Sequence, residues 1–524
     1  MVVIQIANTD KKVSINRQAL IDLDFIEVVS YFVSTDGITT DERTEWIAKY
    51  LTFDPQEILT RNGLLLALGE IPDILETLEE VHKLALDIKK NRRLMKVNKG
   101  ALYYCTYYIN AIGLCLQSLN LLVSNLEGFD NPALDGLKSY LSGITSSAKF
   151  TELSTKYKKL KSTFVPLKNV SFIVNYTQNG EIDTLIVSEV NGTDADAGLF
   201  TPESGEPSSF FDPVHALKSK RRELLPMEAH ILKKAEQKML PNLLKTRIEL
   251  SKINDSFLDE WLDFCEPVEL YISGLKYMNI LRGKGCAFCT TELSGSETVA
   301  EGLRYPHYLL QNGTPPVPND MSIHSPSSAV ITGPNSSGKT SVIKTLAQGI
   351  LLAQLGFPVP ATRFILKPVS KVLTLFSMGE DGSMFSSRFQ QESKIAHSLI
   401  AEANENTLCL LNEPFTSTYP SEAIGLICDI AEKLAAREPV LLIVTHFYDV
   451  YFELLSRGNT ETGSYIMRSR PSSGTVKHEY KLVKALPDKV SFAQIIAEQY
   501  GLNARGFIEN PALADDISTY LSRS

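Results

Sequence analysis

Positive charge is in short supply. The chain sets 61 Asp and Glu against 52 Lys and Arg, for a net charge of −9. Phosphate binding needs local cations, so this balance excludes a uniformly basic nucleic-acid surface and leaves only patches. Cysteine is sparse too, seven in 524 residues, which excludes a disulfide framework. Cys286-Ala287-Phe288-Cys289 is a lone C-x-x-C. A structural zinc site wants a second pair at suitable spacing, so these two are read as reduced, partly buried thiols. No secretory signal is visible in Met1–Lys12, and no apolar run reads as long enough to span a bilayer. The expectation is a cytoplasmic protein without a membrane partner.

What is present is an ordinary globular composition, 44% hydrophobic and 22% charged, over a length that implies two or three domains. Its most specific stretch is Gly333-Pro334-Asn335-Ser336-Ser337-Gly338-Lys339-Thr340, which fits G-x-x-x-x-G-K-[ST]. Ser328–Thr332 before it reads as a buried strand, and Ser341–Leu355 after it reads as a helix. That is the context the pattern needs. Glycines let backbone N–H groups approach phosphate oxygens, and the helix N-terminus adds partial positive charge. Residues Gly333 to Ser341 are therefore the expected ATP site, with Lys339 on the β- and γ-phosphates and the Thr340 hydroxyl on Mg²⁺.

Taken in order, Met1–Val33 shows two short apolar segments and no recognisable domain. Thr39-Thr40-Asp41-Glu42 spells a capping box opening a helix to Tyr50. Helices follow over Pro55–Leu66, Pro72–Arg93 and Ala101–Leu126, the last apolar nearly all round, as a helix buried among helices is. Val170–Tyr176 and Glu181–Val187 flank Asn179-Gly180 and predict a hairpin. Asn191–Ser209 reads as an exposed loop. Helices resume over Pro213–Leu281, with Pro241 and Pro267 expected to break or kink them. Three basic runs stand out: Lys89, Lys90, Arg92, Arg93, Lys96 and Lys99; Lys156, Lys158, Lys159 and Lys161; Lys218, Lys220, Arg221 and Arg222. Each reads as a solvated helix face or, if DNA is bound, as its contact. From about Glu301 strands and helices alternate: Val372–Phe376, Leu408–Leu411 and Val440–Thr445 as strands, Arg388–Asn404 and Ser421–Arg437 as helices. This predicts an α/β nucleotide-binding layer. Gly463–Met467 and Lys477–Val483 read as edge strands, and Ser491–Ser524 as helical.

An apolar strand ending in Asn412-Glu413 stands where a Walker B strand belongs. There the first acid ordinarily holds Mg²⁺ and the second orients the attacking water. Asn412 keeps a carbonyl that can accept from a metal-bound water, and Glu413 keeps the catalytic carboxylate. His446, at the end of the next strand, is placed to hydrogen-bond a γ-phosphate.

With these pieces together the chain resembles the MutS family of DNA mismatch-repair ATPases, built on the ABC type of nucleotide-binding domain. Arg304-Tyr305-Pro306 looks like the family's R-[HY]-P. Val317-Pro318-Asn319-Asp320 precedes the P-loop at the family's spacing, and Ile331-Thr332-Gly333-Pro334-Asn335 is similar to its I-T-G-P-N. Phe357-Pro358-Val359-Pro360-Ala361 resembles its V-P-A, Ser387-Arg388-Phe389 its S-[TS]-F, and Thr416-Ser417-Thr418 a shortened G-T-S-T. Thr445-His446-Phe447 is like its T-H-Y, and Val490-Ser491-Phe492 like its S-Y-G-I segment. The likeness is specific over about Glu301–Leu502 and weaker over Gly37–Leu281, where helix, hairpin and helix follow the family's core and lever helices.

The resemblance implies a multidomain α and α/β protein: a short N-terminal segment (1–36), a helical core/lever domain (37–300, hairpin about 168–190) and an ABC-type P-loop ATPase domain (301–524). It implies two nucleotides held at a homodimer interface, with Ser387 donating in trans to the γ-phosphate, and other repair proteins as further partners. The family's mismatch-binding domain has no room before residue 37, so Phe25-Ile26-Glu27 is read as a chance spelling of its Phe-x-Glu wedge. The expected function is an ATP-gated clamp on branched or duplex DNA in repair or recombination, with hydrolysis slowed by Asn412. An ABC-type switch acting on a protein partner without DNA is the alternative, favoured by the net charge. A P-loop kinase fits poorly, because the helical half offers no acceptor pocket.

Overall fold

The computed structural model describes residues 11–33, 39–97, 100–164, 167, 170–176, 178–179, 182–190, 226–254, 256–311, 315–324, 327–377, 388–472 and 475–487. The strands, in chain order, are β1 Ser14–Ile15, β2 Val170–Tyr176, β3 Ile182–Val190, β4 Thr291–Leu293, β5 Glu297–Leu303, β6 Asn319–His324, β7 Ser327–Thr332, β8 Arg363–Leu366, β9 Lys371–Phe376, β10 Thr407–Asn412, β11 Val440–Val444, β12 Gly463–Ser472 and β13 Thr475–Lys484. Two compact units result, one built on Asp73–Glu269 and the other on Gln5–Pro72 with Leu270–Ser524.

The first unit is helical. Helices Ile74–Val97 and Ala101–Leu126 pack along each other, and Pro132–Thr145, Ala148–Thr163, Pro226–Ser251 and Ser256–Cys265 complete the set. Ala101–Leu126 matches its expected limits. By length and hydropathy it does qualify as bilayer-spanning, contrary to the reading that no such run exists, yet half of its most apolar window is buried inside this unit. Its Ser118 hydroxyl accepts the Trp261 indole N–H at 2.8 Å, both side chains buried, as a polar group inside a core requires. β2 and β3 form the expected antiparallel hairpin. The Pro226–Ser251 helix runs on through Pro241 instead of breaking. Proline deprives the carbonyl of residue 237 of its N–H, but Gln237 is exposed, so water can take that bond. Pro267 does fall at a break, between Ser256–Cys265 and the next helix, Val268–Gly283. The stretch 191–225, with its loop and third basic run, lies outside the described residues.

The second unit carries a seven-stranded sheet in the order β1-β9-β10-β11-β7-β12-β13, parallel except for β13. Parallel strands covered on both faces read as continuous apolar runs, and β10 is buried at all six positions. Leu373, Leu375, Cys409, Leu411, Leu441 and Ile443 pack with Ala396, Ile427 and Leu434 from helices Arg388–Glu402 and Pro420–Ala435. Each such aliphatic burial stabilises by roughly 1.5–3 kcal/mol. A smaller sheet, β4-β8-β5-β6, belongs to the same unit.

Two stretches fall on the other side of the sequence-based boundaries. Residues 39–72 and 270–300 belong with the sheet, not with the helical unit. Asn62 Nδ2 donates to the Gly356 carbonyl at 3.3 Å, and Gln354 Nε2 to Thr52 O at 2.9 Å. The N-terminal stretch is equally integral. Ser14 and Ile15 pair with Lys371 and Val372, and helices Arg17–Asp22 and Phe25–Ser30 are anchored by Leu20, Leu23, Phe25 and Val28, all essentially buried. Phe25 and Ile26 are core residues, as the reading of Phe25-Ile26-Glu27 as a chance spelling expects. The capping box is also realised: Thr39 Oγ1 accepts the Glu42 N–H while Glu42 Oε2 accepts the Thr39 N–H.

Candidate nucleotide site

The turn from β7 into helix Lys339–Gln354 is built for a backbone that side chains resist. Gly333 has φ 148° and Gly338 φ 94°. A Cβ on Gly333 would lie 3.0 Å from Met467 Cβ, and one on Gly338 3.3 Å from Tyr480 Cδ1. Glycine is the residue that takes such φ without steric cost. The helix behind the turn is fixed by two fully buried amides. Gln348 donates to Leu23 O at 2.6 Å and accepts the His307 N–H at 3.0 Å. Gln354 donates to Thr52 O and Val369 O and accepts the Val369 N–H. Unsatisfied, each would be expensive; satisfied, they lock the helix to its surroundings.

Around the turn opens a cavity of about 800 Å³, walled by Asn335, Ser336, Gly338, Lys339, Thr340 and Ser341, by Asn412 and Glu413, and by Tyr305, Tyr308, Val317, Met467 and Tyr480. That is within the roughly 300–1,000 Å³ of small-molecule sites. Gly333, Pro334 and Ser337 shape the turn from behind. Ser337 Oγ donates to Pro334 O at 2.7 Å, and Lys339 Nζ donates to the Gly333 and Pro334 carbonyls, each at 3.0 Å. The Thr340 hydroxyl donates to Asn412 Oδ1 at 2.8 Å, so the two expected Mg²⁺-side residues are brought together across the helix and β10.

Glu413 follows in a left-handed conformation, φ 48°, with its N–H on Val444 O at 2.8 Å. Its Oε1 lies 3.4 Å from Lys339 Nζ and its Oε2 3.8 Å from His446 Nδ1, the latter beyond hydrogen-bond length. The imidazole first, and the ammonium next, hold the Glu413 carboxyl below its usual range, against burial that pushes it up. Burial lowers the Lys339 pKa, and the facing Glu413 partly restores it. The carboxylate is therefore ionised at neutral pH. Ser387 lies outside the described residues.

Several functional-looking residues were not singled out from sequence. Tyr480, on an edge strand, and Tyr308, in helix Pro306–Gln311, line the cavity. Asn319 is pinned to β13: its Nδ2 donates to Tyr480 O and its Oδ1 accepts the Leu482 N–H. Val-Pro-Asn-Asp was the available signal. Asp24, φ 51°, sits behind the wall. Its Oδ2 accepts from Tyr305 Oη at 2.9 Å and Lys344 Nζ at 2.8 Å, with His307 Nδ1 at 3.4 Å. Burial alone would raise its pKa, but these partners outweigh it and hold it at about 2.

The site's donor set is hydroxyl, amide carbonyl, carboxylate and ammonium. Among the described residues no group of three or more His, Cys, Asp or Glu is placed to cage a metal. Oxygen donors of the kind that Thr340 and Asn412 offer, the latter through a water, would suit Mg²⁺, which is usually bound through few protein groups plus substrate phosphates. Cys286 and Cys289 carry no disulfide. Burial raises both thiols, Cys289 to about 11. The basic runs that are described lie in the helical unit. Arg92 is paired with Asp259 and Lys156 with Glu152, while Lys89, Arg93, Lys96, Lys158, Lys159 and Lys161 are exposed.

A family model described as MutS domain V matches residues 329–511. The chain is 27% identical over 213 residues to MutS protein homolog 4 of Mus musculus, covering 40% of this chain and 22% of that protein. It is 29% identical over 196 residues to DNA mismatch repair protein MutS of Thermus aquaticus, 37% of this chain and 23% of that one. It is 28% identical over 278 residues to DNA mismatch repair protein Msh3 of Homo sapiens, 48% and 24% respectively. The matched stretch thus spans about a quarter of each relative's length.

Proposed function

We propose that this chain, whose residues 329–511 match the family model described as MutS domain V, binds and hydrolyses ATP and uses the nucleotide to switch a dimeric grip on DNA. The observation that carries this reading is the convergence of Lys339, Thr340, Asn412 and Glu413 on one cavity, with His446 behind Glu413.

In this reading the backbone N–H groups of the P-loop and the start of its helix receive the phosphates. Lys339 exchanges its carbonyl partners for phosphate oxygens. Thr340 would hold Mg²⁺ directly and Asn412 through a metal-bound water, and the ion would supply neutralising charge to the phosphates. Glu413, ionised and tethered beside Lys339, orients the attacking water and accepts its proton. His446 steadies that carboxylate and faces the γ-phosphate. Asn412 supplies a neutral oxygen where an acid would supply charge, so metal affinity falls and turnover is slow. Ser387 of a second copy completes the site in trans, and loss of the γ-phosphate removes the contact that closes the dimer.

DNA is the partner through the exposed lysines of the helical unit, with branched or duplex forms preferred to mismatches. Phe25, in the one Phe-x-Glu spelling considered, is fully buried and unable to wedge into a base step. The test is fluorescence anisotropy with duplex, mismatched and four-way-junction probes, with and without ATP, at low and high salt. Nucleotide-dependent binding that weakens steeply with salt is expected. ATP binding with no affinity for any probe would replace DNA by a protein partner, the reading that the net charge of −9 favours. Glu413→Gln is expected to slow hydrolysis about 10²-fold or more; turnover equal to the parent's would remove Glu413 from the mechanism.

A further inference from the structure

One buried carboxylate has no part in the site described so far. Glu392, in helix Arg388–Glu402, is 0% exposed. Glutamate is almost never fully buried unless paired. Its partners lie at both ends of a short path. Arg388 Nε donates to Glu392 Oε1 at 3.1 Å, and the Phe415 backbone N–H donates to Oε2 at 2.8 Å. Arg388 Nη2 also donates to Thr416 Oγ1 at 3.0 Å. Two residues one helical turn apart thereby hold two consecutive residues of the loop that starts at Glu413.

That loop needs holding. It passes through left-handed backbone at Glu413, φ 48°, and again at Phe415, φ 60°, a conformation in which an L side chain is strained. The Phe415 ring is 1% exposed, 5.7 Å from that of Phe389. Between the anchored amide and Glu413 stands only Pro414, whose ring fixes its own φ. Little slack separates the Glu392 carboxylate from the backbone that aims Glu413.

We propose that Glu392 is a positioning residue for ATP hydrolysis: clamped by Arg388 and gripping the Phe415 amide, it fixes the strained loop that points Glu413 into the nucleotide cavity. It touches no substrate and acts through Glu413. The inference rests on the ATPase reading above.

The experiment is a double-mutant cycle on the full chain, with steady-state hydrolysis, direct binding of a fluorescent ATP analogue and thermal melting for each variant. Glu392→Gln keeps an acceptor for Phe415 but loses the charge that holds Arg388. It is expected to lower kcat about 10- to 100-fold, the scale of a 1 Å misplacement, with nucleotide affinity within about twofold of the parent's. In a Glu413→Gln background the same change is expected to cost nothing further. Arg388→Gln, at a partly exposed position, should show a smaller loss with the same non-additivity, and serves if Glu392→Gln does not fold. Losses that multiply in the double variant, or an equal loss of nucleotide affinity, would overturn the clamp alone. A parent that binds no ATP would overturn the clamp together with the ATPase reading.

Discussion

Two turns meet at the cavity and solve the same backbone problem by different means. The turn after β7 reaches positive φ at Gly333 and Gly338, where no Cβ opposes it, and at Ser336, φ 63°, where one does. The loop after β10 does so at Glu413 and Phe415, each at a strain of about 1–3 kcal/mol. Glycine relieves two of the three such positions in the first turn, and its carbonyls are held from within by Ser337 and Lys339. The second is held from outside, by a buried ring and a buried carboxylate. Glycine has no carboxylate to offer, so the strain at Glu413 comes with having one at that spot.

The comparison can be broken from either side. Removing the anchor of the second turn has the largest expected effect: Phe415→Ala should lower stability by about 3–5 kcal/mol, read by urea unfolding, with hydrolysis lost at temperatures where the fold survives. Lys339→Ala removes the cation facing Glu413 together with the two hydrogen bonds that Lys339 Nζ gives to the Gly333 and Pro334 carbonyls. It should weaken ATP binding about 10²-fold, near 2.7 kcal/mol, in a titration with a fluorescent analogue, and lower Tm as well. Gly333→Ala puts a side chain into the turn that glycine relieves. With a Cβ 3.0 Å from Met467 Cβ, a cost of about 2–3 kcal/mol is expected; a neutral result would show that this turn too is held from outside.

The smallest effect is at Asp24, behind both turns. Its pKa falls from 3.8 to about 2 on folding, so its contribution is complete above pH 4 and fades as pH drops through 2. Allowing for its partial exposure, Asp24→Asn should cost about 1–2 kcal/mol at neutral pH. The gap between parent and variant in denaturant melts should narrow between pH 4 and 2. A gap that stays constant with pH would mean that packing, not charge, is what Asp24 supplies.

What was legible in the sequence divides along the same line as the turns. The turn over residues 333–340, β10 with Asn412-Glu413, and His446 could be singled out from sequence because each expected chemistry needs particular residue types at fixed local spacing, and the structure brings them to one place. Helix Ala101–Leu126 was found, limits included, because its apolar pattern is local as well. The N-terminal stretch was missed because β1 is two residues long and its partner is Lys371–Val372, a pairing no window could reveal. Glu392 was missed for a related reason. On a helix it is one glutamate among several, and the only local hint is Arg388 four residues before. Its meaning lies in Phe415, across the fold. Helix Pro226–Ser251 is not broken at Pro241 because the missing N–H matters less where the carbonyl it leaves faces water.

The pairing of Ser14 with Lys371 also sets a timetable. Roughly 360 residues must be made before β1 has anything to pair with, about 20–70 s at the usual 5–20 residues per second of translation. Throughout that interval Leu20, Leu23, Phe25 and Val28, all essentially buried in the finished protein, lack the sheet side of their core, although helix Thr40–Tyr50, which packs on helix Phe25–Ser30, follows at once. The nascent chain therefore carries a half-covered apolar segment while the helical unit is being made. β1 can then join β9 before the central strands β10 and β11 exist.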